Sequence, residues 1–351
     1  MLKLLFVSKD FGGTKTLVPI GLTAKAAGHE ITVVCEGKGA PLWIRAGVEP
    51  YFMGSSDFET VPFSLNVPAL FDEVKPDAAI LEIPYSINLT KSIGLEANIR
   101  SIPVVIAQDY WSSLCGLPEV NPSLVLTIDE YAKKIAESQV NIGTPVRIIG
   151  NHAVPNLRDY QEKPEVLNIL SEARKKFDKL FVYVGGHRDC VEPELKILIP
   201  SLEFTPGNWG LIPRYHPKCC NLFDKASGKK MPEIWDNLFE PIASRIVRCN
   251  LETSDDLAIL CDACFSGISS SMSSALVSGK PAVSIRTPES MALLREVNLE
   301  EIPWVALGAS RAIEQAQDLS PLLVPPTEEI RKKFRPLDAS FAVRAIEELL
   351  L

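Results

Sequence analysis

The chain has 351 residues, of which 46% are hydrophobic and only 7% aromatic, and 36 basic against 44 acidic side chains give a formal net charge of −8. This length predicts two domains of roughly 150–200 residues each, and an aliphatic composition suits buried parallel sheets. An acidic chain without a long basic run argues against a general nucleic-acid-binding protein.

Apolar runs alternate with helical patterns through the first half. Lys3 to Ser8 predicts a strand, a turn containing Gly12 and Gly13 follows, and a helix then runs to Ala27. Further strands are expected at 30–36, 47–53, 78–83, 104–108, 124–128 and 146–149, with a helix at 130–139. This order is typical of a Rossmann-like unit, although the dinucleotide fingerprint GxGxxG is absent.

Acidic side chains lie at the ends of three of these predicted strands, at Asp10, Glu82 and Asp109, and Gln108, Asp129 and Glu130 are further polar residues at predicted strand ends. The carboxyl ends of parallel strands line one edge of a sheet, and ligands bind at that edge. Each of the three is also compatible with a helix cap or a solvated loop. If the edge is catalytic, these carboxylates are the candidates for a general base.

The second half repeats the pattern after residues 151–164, a polar stretch with two prolines that predicts an interdomain linker. Strands are expected at 180–184, 208–213, 245–249 and 304–307, and helices at 166–177, 191–202, 290–296 and 311–317. Glycines and basic residues follow the first two of these strands, at Gly185, Gly186, His187, Arg188, Arg214, His216 and Lys218.

The stretch 257–288 is the most informative part of this half. It predicts a strand at 263–265, a glycine and serine turn, a small-residue helix that ends at Gly279, and a strand at 282–285. This is a parallel βαβ crossover with its turn at the ligand edge. Hydroxyls and free amides there suit a phosphate, but serines at a helix start are also ordinary N-caps. The turn contains Gly267, Ser269, Ser270 and Ser271.

Eight cysteines are present, several inside apolar runs, where cysteine serves as a small core residue. Cys261 and Cys264 have CxxC spacing, but no second CxxC or histidine pair accompanies them, so we expect no metal site. No signal peptide is apparent, and no apolar run reaches the roughly 18–20 residues of a membrane span. These features predict a reduced, cytoplasmic protein without a transmembrane segment, and they leave peripheral membrane contact open.

Two Rossmann-like halves, with Gly185-Gly186, Arg214-x-His216 and a serine turn ending in Gly279-Lys280-Pro281 in the second, resemble nucleotide-sugar glycosyltransferases of the GT-B fold. Lipid-A-disaccharide synthases and CDP-glycerol glycerophosphotransferases are similar in the last stretch, and non-hydrolysing UDP-N-acetylglucosamine 2-epimerases share the fold. The resemblance covers the whole chain in architecture and residues 180–288 in motif.

This resemblance implies an α/β chain of two Rossmann-like βαβ domains that face each other across a cleft. Residues 1–150 would form the acceptor-side domain, in which Gly12 and Gly13 resemble a glycine loop, and 151–164 the linker. Residues 165–325 would form the donor domain, and helices in 326–351 would brace the first domain. The implied donor-binding residues are Gly185, Gly186, His187, Arg188, Arg214, His216, Lys218, Gly267, Ser269, Ser270, Ser271, Ser274 and Glu289.

One position departs from the family pattern. Family members commonly carry a carboxylate five residues before the final glycine, where it binds the ribose hydroxyls, and this chain has Ser274 there. A serine has fewer acceptors and no charge. Glu289 is the candidate to take over part of that role.

We expect a metal-independent transferase that moves a sugar from a nucleotide-diphosphate sugar, its substrate, to an acceptor hydroxyl without a cofactor. A nucleotide-sugar epimerase would need a paired acid and base, and the absent Gly-Thr-Arg-Pro-Glu motif and the four histidines count against it. Ser274 favours a third reading, a nucleotide-binding or phosphate-binding protein that has lost catalysis. A dehydrogenase ranks last because neither half carries the dinucleotide fingerprint.

Overall fold

The computed structural model describes the chain except residues 54–64, 84–87, 112–113, 115–116, 118, 217–218, 220–221, 225–226, 250 and 252–253. The chain forms two compact units, Met1–His152 with Arg335–Leu351 and Ala153–Phe334. Each unit contains a parallel sheet with helices, which confirms the expected α/β chain of two Rossmann-like halves. Within the described residues, no helix has the length and apolar character needed to cross a membrane.

The first unit is built on a parallel sheet with strands β1 (Lys3–Ser8), β2 (Glu30–Cys35), β3 (Phe52–Met53), β4 (Ala78–Glu82), β5 (Val104–Ala107), β6 (Leu124–Thr127) and β7 (Val146–Ile148). Within the described residues their spatial order is β3-β2-β1-β4-β5-β6-β7. The chain order therefore reverses between β1 and β4, and the crevice at such a switch point is where open α/β sheets bind ligands.

Helices cover this sheet, and one of them comes from the far end of the chain. The helices are α1 (Phe11–Ala26), α2 (Ala40–Arg45), α3 (Val67–Val74), α4 (Asn88–Ile99) and α5 (Glu130–Glu137). The C-terminal helix, Ala339–Leu350, buries Ala342, Val343 and Ile346 in the same apolar cluster as Leu17 and Ile20 of α1. This packing returns the end of the chain to the first unit.

The boundaries of the units differ from the expected 150 and 326. Residues 326–334, with the short helix Glu328–Lys332, belong to the second unit, and the first unit resumes at Arg335. Two backbone hydrogen bonds fix this point, from Asn151 N to Arg335 O (2.8 Å) and from Asp338 N to Ile149 O (2.7 Å). The stretch 151–164 is divided at His152.

The second unit has strands β8 (Lys179–Gly185), β9 (Trp209–Tyr215), β10 (Ala263–Ser266), β11 (Ala282–Ile285) and β12 (Arg311–Ile313), in the order β12-β11-β10-β8-β9 within the described residues. Its helices are α6 (Pro164–Arg174), α7 (Arg188–Phe204), α8 (Met231–Asn237), α9 (Ser254–Leu260), α10 (Ser271–Val277), α11 (Pro288–Glu296), α12 (Pro303–Ala306) and α13 (Glu328–Lys332), and α14 is the C-terminal helix Ala339–Leu350 of the first unit. The crossover β10-α10-β11 confirms the architecture expected for 257–288.

Three sequence-based assignments in this unit are wrong. Residues 245–249 form only a bridge between Ile246 and Leu211, because the next residue of β9 that faces that side is Pro213, which has no N–H to extend the ladder. Residues 304–307 are helical rather than extended, since Pro303 begins a helix. Residues 311–317 are not a helix, because Arg311–Ile313 pairs with β11 as an edge strand.

Candidate functional site

The structure brings the three predicted carboxyl groups together at the carboxyl edge of the first sheet. Asp10 follows β1 and precedes α1, Glu82 ends β4, and Asp109 lies two residues beyond β5. The three are close enough for the charges of Asp10 and Asp109 to act on Glu82, and for that of Asp10 to act on Asp109. They therefore line the switch point of this sheet.

Glu82 is the buried member of this cluster. Its side chain is fully buried, and Oε1 accepts hydrogen bonds from the amides of Lys9 and Asp10, the latter at 2.6 Å. Oε2 has no hydrogen-bond partner among the described residues. Burial raises the pKa of Glu82 well above its usual value, although the two amide hydrogen bonds lower it, and the carboxyl group supports the turn between β1 and α1.

Gly12 and Gly13, which were expected in a loop, lie in the first turn of α1 and make room for the carboxyl groups. A Cβ on Gly13 would overlap Glu82 Oε2 and lie 2.8 Å from its Cδ, and a Cβ on Gly12 would overlap Asp109 Oδ2. The start of α1 thus needs glycine because carboxyl groups approach its backbone, and both residues have ordinary negative φ.

Asp109 is the carboxyl group best suited to proton transfer. It is partly exposed, and burial raises its pKa to about 6, with the negative charge of Asp10 adding to the effect. A carboxyl group with this pKa is mostly ionised at pH 7 yet accepts a proton readily, which is what a general base needs. Asp10 is also partly exposed and takes the N-cap position of α1.

Asp129, which the sequence also places at the end of a strand, is a further buried acidic group at the same edge. It follows β6, where it accepts hydrogen bonds from Trp111 Nε1 (2.5 Å) and from the amide of Ala132 (2.8 Å). Burial raises its pKa to about 6. Because both oxygens are engaged by α5 and Trp111, Asp129 acts as a helix cap.

The glycine loops of the second unit touch each other backbone to backbone. Gly186 follows β8 and Gly267 follows β10, and a Cβ on Gly186 would overlap the carbonyl oxygen of Ile268. A Cβ on Gly267 would overlap Glu194 Oε1. Only glycine permits these approaches, so the two loops form one continuous surface at the carboxyl edge of the second sheet.

Basic side chains stand at the start of the 17-residue helix α7, next to these loops. His187 is its N-cap and accepts a hydrogen bond from the amide of Asp189 through Nδ1 (3.4 Å). Arg188 contacts Asp189 through Nε at 3.1 Å, and its side chain is 57% exposed. A guanidinium and a long helix N-terminus after a glycine loop suit a phosphate group.

The structure does not bring every predicted donor residue to this surface. Arg214 donates through Nη1 to the carbonyl of Cys249, beyond the β9 edge. The amide of His216 donates to the carbonyl of Gly185 (3.0 Å) and so joins the ends of β9 and β8. Glu289 is exposed in the first turn of α11. Lys218 lies outside the described residues.

The serines of the turn divide into exposed and buried groups. Ser270 is exposed, and Ser269 is half-buried and accepts a hydrogen bond from the amide of Ser271 (3.4 Å). Ser271 and Ser274 are buried inside α10. Ser274 donates to Asp255 Oδ1 (3.3 Å), an exposed carboxylate at the start of α9. Ser274, which stands where the family pattern has a carboxylate, therefore donates a hydrogen bond to the carboxylate of Asp255 on another helix.

Metal binding has no visible basis in the described part of the chain, where no three His, Cys, Asp or Glu side chains converge in a way that could hold an ion. Cys261 and Cys264 are both buried and unpaired. Burial raises their pKa values far above the usual thiol range, so they belong to the core.

No protein-family model and no curated protein matches the chain, but solved structures do. The S. aureus MnaA–UDP co-structure is 14% identical, with 100% of this chain and 97% of that chain covered and a TM-score of 0.65. The UDP-GlcNAc 2-epimerase of Methanocaldococcus jannaschii is 13% identical over 99% and 100% of the chains, with a TM-score of 0.65. The calicheamicin glycosyltransferase CalG4 is 13% identical over 100% and 98%, with a TM-score of 0.59. The chain therefore shares the fold of these proteins, as the resemblance implied.

Proposed function

We propose that this chain binds a nucleotide-diphosphate sugar and transfers the sugar to an acceptor hydroxyl, with Asp109 as the general base. The observation that carries the proposal is the state of Asp109, a partly exposed carboxyl group with a pKa of about 6 at the switch point of the first sheet. The ionised form takes the proton of the acceptor hydroxyl as its oxygen attacks the anomeric carbon. The bond from that carbon to the diphosphate breaks, and the diphosphate leaves with the electron pair.

We assign the binding of the diphosphate to the second unit. Gly185, Gly186 and Gly267 let a phosphate approach the backbone closely, and Arg188 at the start of α7 supplies a bidentate positive charge. Charge that develops on the leaving diphosphate would be stabilised by groups already in place. Similar structures hold UDP or UDP-GlcNAc, which makes uridine nucleotides the first ligands to test.

Asp255 is the residue we assign to the ribose. Its carboxylate is exposed, and the hydroxyl of Ser274 fixes its Oδ1 at 3.3 Å. A carboxylate accepts hydrogen bonds from the two neighbouring hydroxyls of a ribose, which a lone serine does less well. In this arrangement Ser274 positions the carboxylate of Asp255, and Asp255 takes the role of the carboxylate in the family pattern.

An epimerase is the second candidate, and the position of Asp10 favours it. The charge of Asp10 acts on Asp109 at the same edge, so two carboxyl groups are available there as an acid and a base. Proton abstraction and return at a sugar carbon would use such a pair. The transferase needs only one of them.

The test separates these activities by product. The chain is incubated with UDP-GlcNAc in D₂O and examined by NMR. Transfer or hydrolysis gives free UDP and a sugar without deuterium at C2, whereas epimerisation introduces deuterium at C2. A panel of UDP, GDP, CDP and TDP sugars extends the assay to other donors, and a chelator should leave turnover unchanged. Absence of both binding and turnover with the whole panel would refute both activities.

Asp109→Asn is expected to lower kcat by about 10²–10⁴-fold while nucleotide affinity is retained. The matched control is Asp129→Asn, since Asp129 has the same raised pKa of about 6 at the next strand but is held by Trp111 and Ala132. Asparagine keeps the N-cap acceptor for the amide of Ala132 but loses the acceptor of the Trp111 indole, so this control should lose some stability and keep its turnover in the folded state. Equal losses in both variants would contradict the role of Asp109.

A further inference from the structure

A buried acid and a buried phenol lie directly beneath the two glycine loops of the second unit. Glu194 on α7 and Tyr183 on β8 are both fully buried, and Tyr183 Oη donates to Glu194 Oε2 at 2.8 Å. A Cβ on Gly185 would lie 3.2 Å from Tyr183 Oη, and a Cβ on Gly267 would overlap Glu194 Oε1. Each loop therefore rests on one member of this pair.

The pair also connects the loops to the basic end of α7. Glu194 lies within the same helix whose first residue is Arg188, and Gly267 is followed by Ile268, whose carbonyl meets Gly186. A shift of the Glu194 carboxyl would therefore be passed to the backbone of both loops. Close-packed interiors transmit such shifts because they contain little free volume.

We propose that Glu194 is a positioning residue that, as a neutral acid, holds the two glycine loops in the geometry that binds a diphosphate, and that its ionisation releases them. This inference rests on the proposed function for the identity of the ligand. A neutral carboxyl group supports the loops without placing a negative charge beneath an anion. An ionised one would repel the anion and draw donors from the backbone above it.

The chemistry of the surroundings makes Glu194 the group that titrates here. Burial raises its pKa to about 8. Oε1 faces the Gly267 backbone, whose amide favours the charged form but forms no hydrogen bond of normal geometry with it. The other titratable groups around it are Tyr183 on β8, with its pKa raised well above the usual value, and Cys190 on α7, with a pKa of about 12. Tyr215 on β9 acts electrostatically on Tyr183, and the charges of Asp189 on α7 and Glu289 on α11 act on Cys190.

The direction of the pH dependence follows from the charge of Glu194. Glu194 is neutral below about pH 8 and charged above it, so diphosphate affinity should be highest below pH 8 and fall as the pH rises through it. UDP serves as the probe, because the last phosphate ionisation, near pH 6, is nearly complete above pH 7. We expect the affinity to drop on the order of tenfold between pH 7 and pH 9.

Glu194→Gln keeps the shape and stays neutral at every pH. It should bind UDP at pH 7 about as well as the wild type and show no loss at pH 9. Tyr183→Phe removes a hydrogen bond that favours the charged form, so its midpoint should move to higher pH. The control is Glu192→Gln on the exposed face of the same helix, where Glu192 pairs with Lys196, and its profile should match the wild type.

Two results separate this inference from the proposed function. If the wild type binds UDP with a flat profile, or Glu194→Gln keeps the pH dependence, the inference fails and the proposed function stands. If no nucleoside diphosphate binds at any pH, the proposed function fails, and amide hydrogen exchange of 266–268 decides the inference. Faster exchange in the wild type than in Glu194→Gln above pH 8, after correction for intrinsic rates, supports the loop-holding role, and equal exchange refutes it.

Discussion

At the carboxyl edge of the first sheet, Glu82 lies under Gly13, and at the same edge of the second sheet, Glu194 lies under Gly267. Both carboxyl groups are fully buried, have raised pKa values and leave one oxygen without a hydrogen bond. Their partners differ, because Glu82 accepts from two backbone amides and Glu194 from one phenol. The first is tied to the main chain and the second to a side chain.

The exposed layer above each carboxyl group differs more. Asp10 and Asp109 stand at the first edge, whereas His187 and Arg188 stand at the second. A similar buried support thus carries acidic groups in one unit, and in the other basic groups that pair with Asp189. On the proposed function, the first edge would move protons and the second would hold an anion, and the exposed residues would account for this difference.

The largest effect is expected from removal of the Glu82 carboxyl group, which supports the carboxyl edge of the first sheet. Glu82→Ala removes the acceptor of the buried amide of Lys9 and the partly buried amide of Asp10, and an unsatisfied buried donor costs about 1–3 kcal/mol. The first unit should therefore lose about 2–5 kcal/mol of its free energy of unfolding. Hydrogen exchange of β1 and β4 measures this loss without interference from the second unit.

Glu82→Gln is the matched control, because its amide oxygen can still accept from both backbone groups and it stays neutral. It should cost far less than Glu82→Ala. Glu194→Ala should also cost less, since it removes one hydrogen bond from a phenol and none of normal geometry from the main chain. Equal losses in Glu82→Ala and Glu194→Ala would mean that the amides at Lys9 and Asp10 contribute little.

A smaller effect distinguishes the two neighbouring glycines of the first edge. In Gly13→Ala the new Cβ would meet the Cβ and Cδ of Glu82 at 2.7 and 2.8 Å, and a fully buried side chain cannot move away. Overpacking of this kind costs about 1–3 kcal/mol, which urea unfolding would detect.

In Gly12→Ala the new Cβ meets only the end of Asp109, with Cγ already 3.4 Å away. Because Asp109 is partly exposed, its carboxyl group can rotate aside, so this variant should unfold nearly as the wild type does. Turnover should nevertheless fall, since the base is displaced. A variant that is as unstable as Gly13→Ala, or that retains full turnover, would contradict this assignment.

Much of the fold could be predicted from local patterns, and the failures can be traced to particular residues. Buried parallel strands such as β1 and β8 are apolar runs that sequence reasoning recognises directly. Residues 302–307 are also an apolar run, but a run this short does not distinguish strand from helix, and Pro303 decides for the helix. The loss of a strand at 245–249 depends on Pro213, a residue of a different strand, which is not a local signal.

The candidate site was predictable where chemistry follows a strand directly. Asp10, Glu82 and Asp109 were expected together because parallel strand ends meet at one edge. Glu194 was missed because a glutamate within a helix ordinarily faces solvent, and its burial depends on the approach of Gly267. The pairing of Ser274 with Asp255 joins two helices 19 residues apart, and no spacing rule indicates it.

The smallest expected effect tests that last pairing. Ser274→Ala removes one hydrogen bond to Asp255 Oδ1, and a single hydrogen bond contributes about 0.5–1.5 kcal/mol, so nucleotide affinity should fall by about two- to tenfold. Ser273→Ala is the control one residue away, because Ser273 accepts from the buried indole of Trp304 (2.9 Å). Ser273→Ala should lower stability and leave affinity unchanged. If Ser274→Ala changed stability and left affinity unchanged, Ser274 would have no part in positioning Asp255 for the nucleotide, and its hydrogen bond would serve only the packing of the two helices.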